Sequence, residues 1–198
     1  MIYEKIQLIN GELILIRPLS LTDIRALHGM YSLLSKETKL AYRAPKILPR
    51  PPVRELKDLV LWYMVQIKLA LSTIGPIRQL LMHIPRGTYL PFVAVNSAGE
   101  IVGFISLNIL GGQKGNKNIA EIGKVLRDDY QGKGLGISFA TAVLRVSAPK
   151  VYKVVATVYE WNTRNIHVNE KLGFKITGSH KNKHGETVCT MALQLKSD

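Results

Sequence analysis

The run Gln131-Gly132-Lys133-Gly134-Leu135-Gly136 decides the reading of this chain. It follows a strand-like stretch, Ile119-Ala120-Glu121-Ile122-Gly123-Lys124-Val125-Leu126, and opens a helix-like stretch from Ile137 to Ser147. Glycines at a strand-to-helix turn let backbone N–H groups approach an anion, which the positive end of the following helix then faces. A phosphate or pyrophosphate suits such a turn. A Walker A loop does not fit, because no Ser or Thr follows Lys133 to hold magnesium. A dinucleotide fingerprint fits poorly, since it belongs to a first strand-helix unit and here three strands of meander come first. The expected ligand is a pyrophosphate held without a metal.

Working outward, Leu13 to Arg17 reads as a buried strand stopped by Pro18. Ser20 with Asp23 three residues on predicts a helix start, and apolar spacing continues it from Leu21 to Ser35. Pro45, Pro49, Pro51 and Pro52 mark an irregular connection. Leu56, Leu59, Val60, Tyr63, Met64, Ile67 and Leu71 then repeat at helical spacing. With a shorter piece from Ile77 to His83 they form a helical insertion, Val53 to Ile84. The pattern switches to strands at Phe92 to Val95 and Ile101 to Ile109, joined by a hairpin turn. Gly111 to Asn118 reads as a second turn. After the glycine-turn helix come a strand from Tyr152 to Tyr159, a helix from Thr163 to Leu172 capped by Gly173, and closing strands Phe174 to His180 and Thr187 to Leu195. The expected architecture is α/β: a mixed, mostly antiparallel seven-stranded sheet covered by helices on both faces.

Composition sets the bounds. A chain of 198 residues, 46% hydrophobic, supports one domain with a full core. A formal net charge of +13 favours an acidic ligand or partner such as a nucleotide cofactor, a ribosomal particle or an acidic peptide, or else serves solubility. The basic residues are scattered, which weakens a nucleic-acid reading. The one cysteine, Cys189, excludes an internal disulfide and a cysteine metal cluster, and its apolar neighbours make it a buried structural thiol. The histidines show no metal spacing. Met1 to Lys5 lacks a signal-peptide pattern, and the most apolar stretch, Leu59 to Ile74, is interrupted by Gln66 and Lys68. A cytoplasmic protein without a membrane or metal role is the expectation.

The spacing Gln-x-x-Gly-x-Gly after the strand carrying Glu121 resembles the signature of the GNAT superfamily, the acetyl-CoA-dependent N-acetyltransferases. A second segment, Asn162-Thr163-Arg164-Asn165-Ile166-His167-Val168-Asn169-Glu170-Lys171-Leu172-Gly173-Phe174, is similar to that superfamily's later motif. The element order agrees from about Phe92 to Leu195. The Glu-Lys-Leu-Gly-Phe ending looks most like the ribosomal-protein and protein N-terminal acetyltransferase branches. The resemblance implies that Lys124, Val125 and Leu126 form a strand end that splays from its neighbour and pairs with the pantetheine arm. It implies that Gln131, Gly132, Lys133, Gly134, Leu135, Gly136 and Ile137 form the pyrophosphate turn. It also implies that Asn162 contacts the pantetheine region, with or without a helix N-cap role. Asn165, one helical turn on, is either a further cofactor contact or a solvent-facing residue.

The implied chemistry is attack of a neutral amine on a thioester, which requires proton removal from the amine and stabilisation of charge on the carbonyl oxygen. Glu121 matches the strand position that carries a glutamate base in several family members, and its apolar neighbours predict partial desolvation. The alternative is a strand-edge carboxylate paired with a lysine. Glu160, next to Trp161, is the runner-up. Two positions depart from the family. Thr157 stands where the ribosomal-protein branch would place its base, and Asn169 stands where many members carry a tyrosine acid. The acceptor is expected to be a primary amine, a protein or peptide N-terminus first and a small molecule second. A homodimer and an acidic or ribosomal partner are further expectations. The competing reading is a CoA- or RNA-binding module with little transferase activity.

Overall fold

The computed structural model describes residues 4–42, 89–114 and 117–195. Its strands are β1 (Glu4–Gln7), β2 (Leu13–Pro18), β3 (Tyr89–Val95), β4 (Ile101–Lys114), β5 (Lys117–Leu126), β6 (Val151–Tyr159), β7 (Lys175–Lys181) and β8 (Thr187–Gln194). The helices among the described residues are α1 (Ile24–Leu33), α2 (Lys36–Ala41), α3 (Leu135–Ser147) and α4 (Thr163–Lys171). One sheet runs in the order β1-β2-β3-β4-β5-β6-β8-β7. Every neighbouring pair is antiparallel except β5 and β6, which α3 connects in parallel. The expected helical insertion lies outside the described residues.

Helices cover both faces, as alternation along the strands requires. On one face Phe139, Ala140 and Val143 of α3 meet Ile105, Leu107, Ile122 and Val154 of the sheet, all buried. On the other, Leu27 and Met30 of α1 meet Val93, Phe104 and Val125. Each such aliphatic or aromatic side chain contributes about 1.5–3 kcal/mol by leaving water.

Four local expectations need correction. The sheet has eight strands, not seven. Glu4–Gln7 carries a single aliphatic residue and so no alternating signal, yet it pairs with β2 from Glu4↔Ile16 to Gln7↔Leu13. Ile6 packs on the core, and Arg145 of α3 holds Glu4 in an ion pair. The helix expected from Leu21 to Ser35 is two helices, because Leu34 and Ser35 are extended (ψ 146° and 161°) and the Ser35 side chain caps α2 by accepting from Thr38 N. Its start is a 3-10 turn, Leu21–Asp23, in which the Asp23 carboxylate accepts from Ser20 N (2.7 Å) and from Arg17 (2.5 and 2.9 Å). Burial opposes the Asp23 charge, but these bonds outweigh it and hold the carboxyl below its usual range. Finally, the turn read over Gly111 to Asn118 is shorter. β4 runs on to Lys114 and β5 begins at Lys117, with register shifts at Gly111 that absorb the glycine pair.

Candidate functional site

The parallel pair β5–β6 is short. Its ladder runs from Asn118↔Val151 to Glu121↔Val155 and stops there. β5 continues to Leu126 while still paired to β4, as far as Gly103↔Leu126, and β6 continues to Tyr159 while still paired to β8, as far as Tyr159↔Val188. Each strand keeps its outer partner and parts from its inner one. The result is a wedge whose apex is Glu121–Val155 and whose one wall is the unpaired inner edge of 122–126. Such an edge is a row of backbone donors and acceptors that an extended, amide-bearing chain can pair with.

The glycine turn lies at the mouth of this wedge. Gly132 and Gly134 have φ of +77° and +84°, left-handed values that residues with a side chain avoid. Gly134 is the N-cap of α3, and the helix's first internal bonds run from Ile137 N and Ser138 N to Gly134 O, both 3.2 Å. The amides before them have no intrahelical partner and carry the positive end of the helix dipole. Nothing lies within 4 Å of the position a Cβ on Gly132 would take, so the turn opens outward. At Gly136 that position is 3.5 Å from Leu126 Cδ1 and 3.8 Å from Val168 Cγ1, so α3, α4 and the end of β5 approach closely there. Leu135 is buried and roots the turn in the core, and Lys133 lays its ammonium over the Tyr130 ring at 4.9 Å.

The Gln131 side chain ties elements together. Its amide nitrogen reaches Asp128 Oδ1 (3.2 Å), Thr38 Oγ1 (3.3 Å) and Leu126 O (3.4 Å), while its oxygen accepts from Arg164 of α4 at 2.6 Å. Asp128 in turn accepts from Ser35 N (2.7 Å), Ser35 Oγ (3.1 Å) and Thr38 Oγ1 (2.5 Å). Burial works against the Asp128 charge, yet these bonds hold its carboxyl below the usual range. The start of α2 is thereby fastened to the loop between the wedge and the turn. This anchor was not read from the sequence, and no local pattern announces it.

The residues expected to do chemistry separate by face. Glu121, at the apex, points to the α1 side. It is exposed, so the expected desolvation is not found, and Thr157 Oγ1 donates to it at a long 3.5 Å. Glu160, just past β6, is also exposed; its backbone N–H bonds Thr187 O, beside the stacked rings of Tyr159 and Trp161 (5.3 Å). Among the described residues no hydrogen bond joins the two carboxylates. Asn162 caps α4, its Oδ1 accepting from Asn165 N at 3.1 Å, and Asn165 is half-buried. Val125 is buried against α1, whereas Lys124 and Leu126 point to the α3–α4 side.

Lys124 is the residue whose side chain the sequence reading passed over. Its ammonium end turns inward and donates to Oδ1 of Asn169, which is 1% exposed and directs its own Nδ2 at Met191 Sδ (3.5 Å). Burial alone lowers the Lys124 pKa to about 7. The alternation Ala120, Ile122, Lys124, Leu126 was the available signal, because it assigns this lysine to the inward face.

A wedge with one free strand edge, leading to a glycine turn on a helix N-terminus, fits a ligand that joins an extended diamide arm to a pyrophosphate. Coenzyme A has that form, and the fold and site define an acyl-CoA-dependent transferase. A family model described as the acetyltransferase (GNAT) domain matches residues 14–175, and the chain belongs to that family. It is an acetyl-CoA-dependent N-acetyltransferase acting on an amine acceptor. The chain is 33% identical over 117 residues to an L-methionine sulfoximine/L-methionine sulfone acetyltransferase of Pseudomonas aeruginosa, covering 57% of this chain and 68% of that one. In fold it is similar to the ribosomal-protein-S5-alanine acetyltransferase of Vibrio fischeri (TM-score 0.69, 16% identity, 100% and 98% of the two chains). It is also similar to the spermidine N-acetyltransferase of Vibrio cholerae, solved with CoA and spermine (TM-score 0.60, 17% identity, 92% and 95%).

Proposed function

We propose that this enzyme acetylates the α-amino group of a small amino-acid-like acceptor, with acetyl-CoA lying along the wedge. The observation that carries the cofactor half is the parting of β5 from β6 beyond Glu121–Val155, directly beside the open turn at Gly132. The acceptor half is supported by the identity of 33% to an acetyltransferase of methionine sulfoximine and sulfone. Acetyl-CoA, when bound, supplies an activated acetyl group as a thioester. The turn amides of 132–136 hold its pyrophosphate, and the inner edge of β5 orients its arm and offers N–H groups to the carbonyl oxygen. Glu121, exposed on the α1 side, takes the proton of the acceptor amine directly or through water.

A thiol-release assay with acetyl-CoA tests this against L-methionine sulfone, free amino acids, spermidine and a peptide with N-terminal alanine. Turnover on the amino-acid amines is expected; turnover on spermidine alone would refute the acceptor class. The second reading, a peptide N-terminus, is favoured by the Glu170-Lys171-Leu172-Gly173-Phe174 ending of α4, and preference for the alanine peptide would select it.

A further inference from the structure

We infer that Lys124, held by Asn169, is the catalytic residue that gives a proton to the departing thiolate of coenzyme A. The inference rests on the cofactor occupying the wedge. Three observations point to it. Lys124 stands three residues past the last β5–β6 rung, on the unpaired stretch of β5, so it is inside the wedge and close to the apex where an arm running inward from the glycine turn must end. Its side chain leaves β5 on the α3–α4 face, the same face as the turn, and opposite to Glu121. Its partner is the buried Asn169, an amide that cannot act as an acid itself but that accepts from Lys124 and fixes where the amine sits.

The charged groups around it leave it free to titrate. The charged residues of α4 (Arg164, His167, Glu170 and Lys171) are all exposed, and from β4 the facing residue is Ile105. Glu121 of β5 lies on the other face, and among the described residues no carboxylate pairs with Lys124. From α3 and β8 the neighbours on this face are apolar, including Met191. Burial brings the ammonium near neutrality, to about 7. A thiolate forming beside the protonated lysine is stabilised by its charge, and the two groups then share one proton.

The step balances. The acceptor nitrogen forms a C–N bond to the acetyl carbon as the C–S bond breaks, and the electron pair of that bond stays on sulfur. Lys124 Nζ gives one proton to the sulfur and regains one from water. The acceptor's surplus proton leaves on the opposite face through Glu121 or water. Proton removal and proton delivery are thus assigned to two sides of one strand.

The test compares wild type with Lys124→Met and Lys124→Arg, using free CoA binding by calorimetry, ultraviolet titration of the bound CoA thiol, and turnover. Wild type should bind CoA with its thiol ionising at lower pH than in water. Lys124→Met should bind CoA within about threefold, lose that lowering, and turn over on the order of 10²-fold more slowly, the usual worth of general acid catalysis. Lys124→Arg should keep the lowered thiol, because its charge persists, and still lose most turnover, because arginine does not release its proton. CoA bound by Lys124→Met with an unchanged thiol titration and unchanged turnover overturns the role of Lys124. Failure of the wild type to bind CoA overturns the wedge reading and this inference with it. Should Lys124→Met not fold, the wild-type thiol titration decides: a bound thiol that ionises as in water refutes the inference.

Discussion

Replacing Asp128 by alanine should loosen the enzyme from the cofactor turn outward. The carboxylate accepts from Ser35 N, Ser35 Oγ and Thr38 Oγ1 across about ninety residues of sequence and also meets Gln131 Nε2 at 3.2 Å. Each such bond is worth about 0.5–1.5 kcal/mol net. The site is partly exposed, so the lower half of that range applies, and the variant should lose about 2 kcal/mol in sum. At roughly 2–4 °C per kcal/mol for a chain of this size, Tm should fall by about 4–8 °C. Asp128→Asn, which keeps one acceptor oxygen, should fall about half as far. The folded carboxyl lies below the unfolded value of 3.8, so this stabilisation is full above that pH and disappears as pH falls through the folded value. Thermal unfolding followed from neutral pH into acid should therefore show the gap between wild type and Asp128→Ala hold down to pH 3.8 and narrow as pH falls below it. Because Gln131 loses a partner, KM for acetyl-CoA should also rise. Equal Tm values at neutral pH, or a gap that persists unchanged in acid, would refute this account of the anchor.

Three other variants probe the site. Gly134→Ala places a side chain at φ +84°, which costs about 1–2 kcal/mol and distorts the turn; KM for acetyl-CoA should rise about tenfold, on the scale of 1.4 kcal/mol per decade, while kcat at saturation changes little. Glu121→Gln should retain CoA binding by calorimetry and lose turnover on amine acceptors, and identical pH–rate profiles would remove it as the base. Asn162→Ala removes the side-chain cap of α4 and should cost about 1 kcal/mol in denaturant unfolding, with a further loss of CoA affinity if the residue also meets the pantetheine arm.

Much of this protein was written locally. Glycine between a strand pattern and a helix pattern specifies the turn at 132–136, and the N-cap and C-cap signals at Asn162 and Gly173 frame α4 to within a residue. Turn chemistry and short-range periodicity act between near neighbours, so one sequence suffices to read them. The element order and the family followed from the same segments. What the tertiary structure decided involves residues far apart in the chain. β5 and β6 part beyond Glu121–Val155 while β4 and β8 go on pairing with them, and all four strands come from separate stretches of the chain. The extended break at Ser35 is fixed by Asp128, 93 residues on, and β1 exists because β2 completes its hydrogen bonds. Glu121 looked desolvated among its sequence neighbours but is exposed, since burial is set by what covers a strand face. Lys124 looked like a backbone contact, but its side chain turns inward to Asn169, 45 residues later, and burial there lowers its pKa. Local sequence specified the glycine turn and the helix caps; long-range pairing and burial decided where β5 leaves β6 and which side chains turn inward.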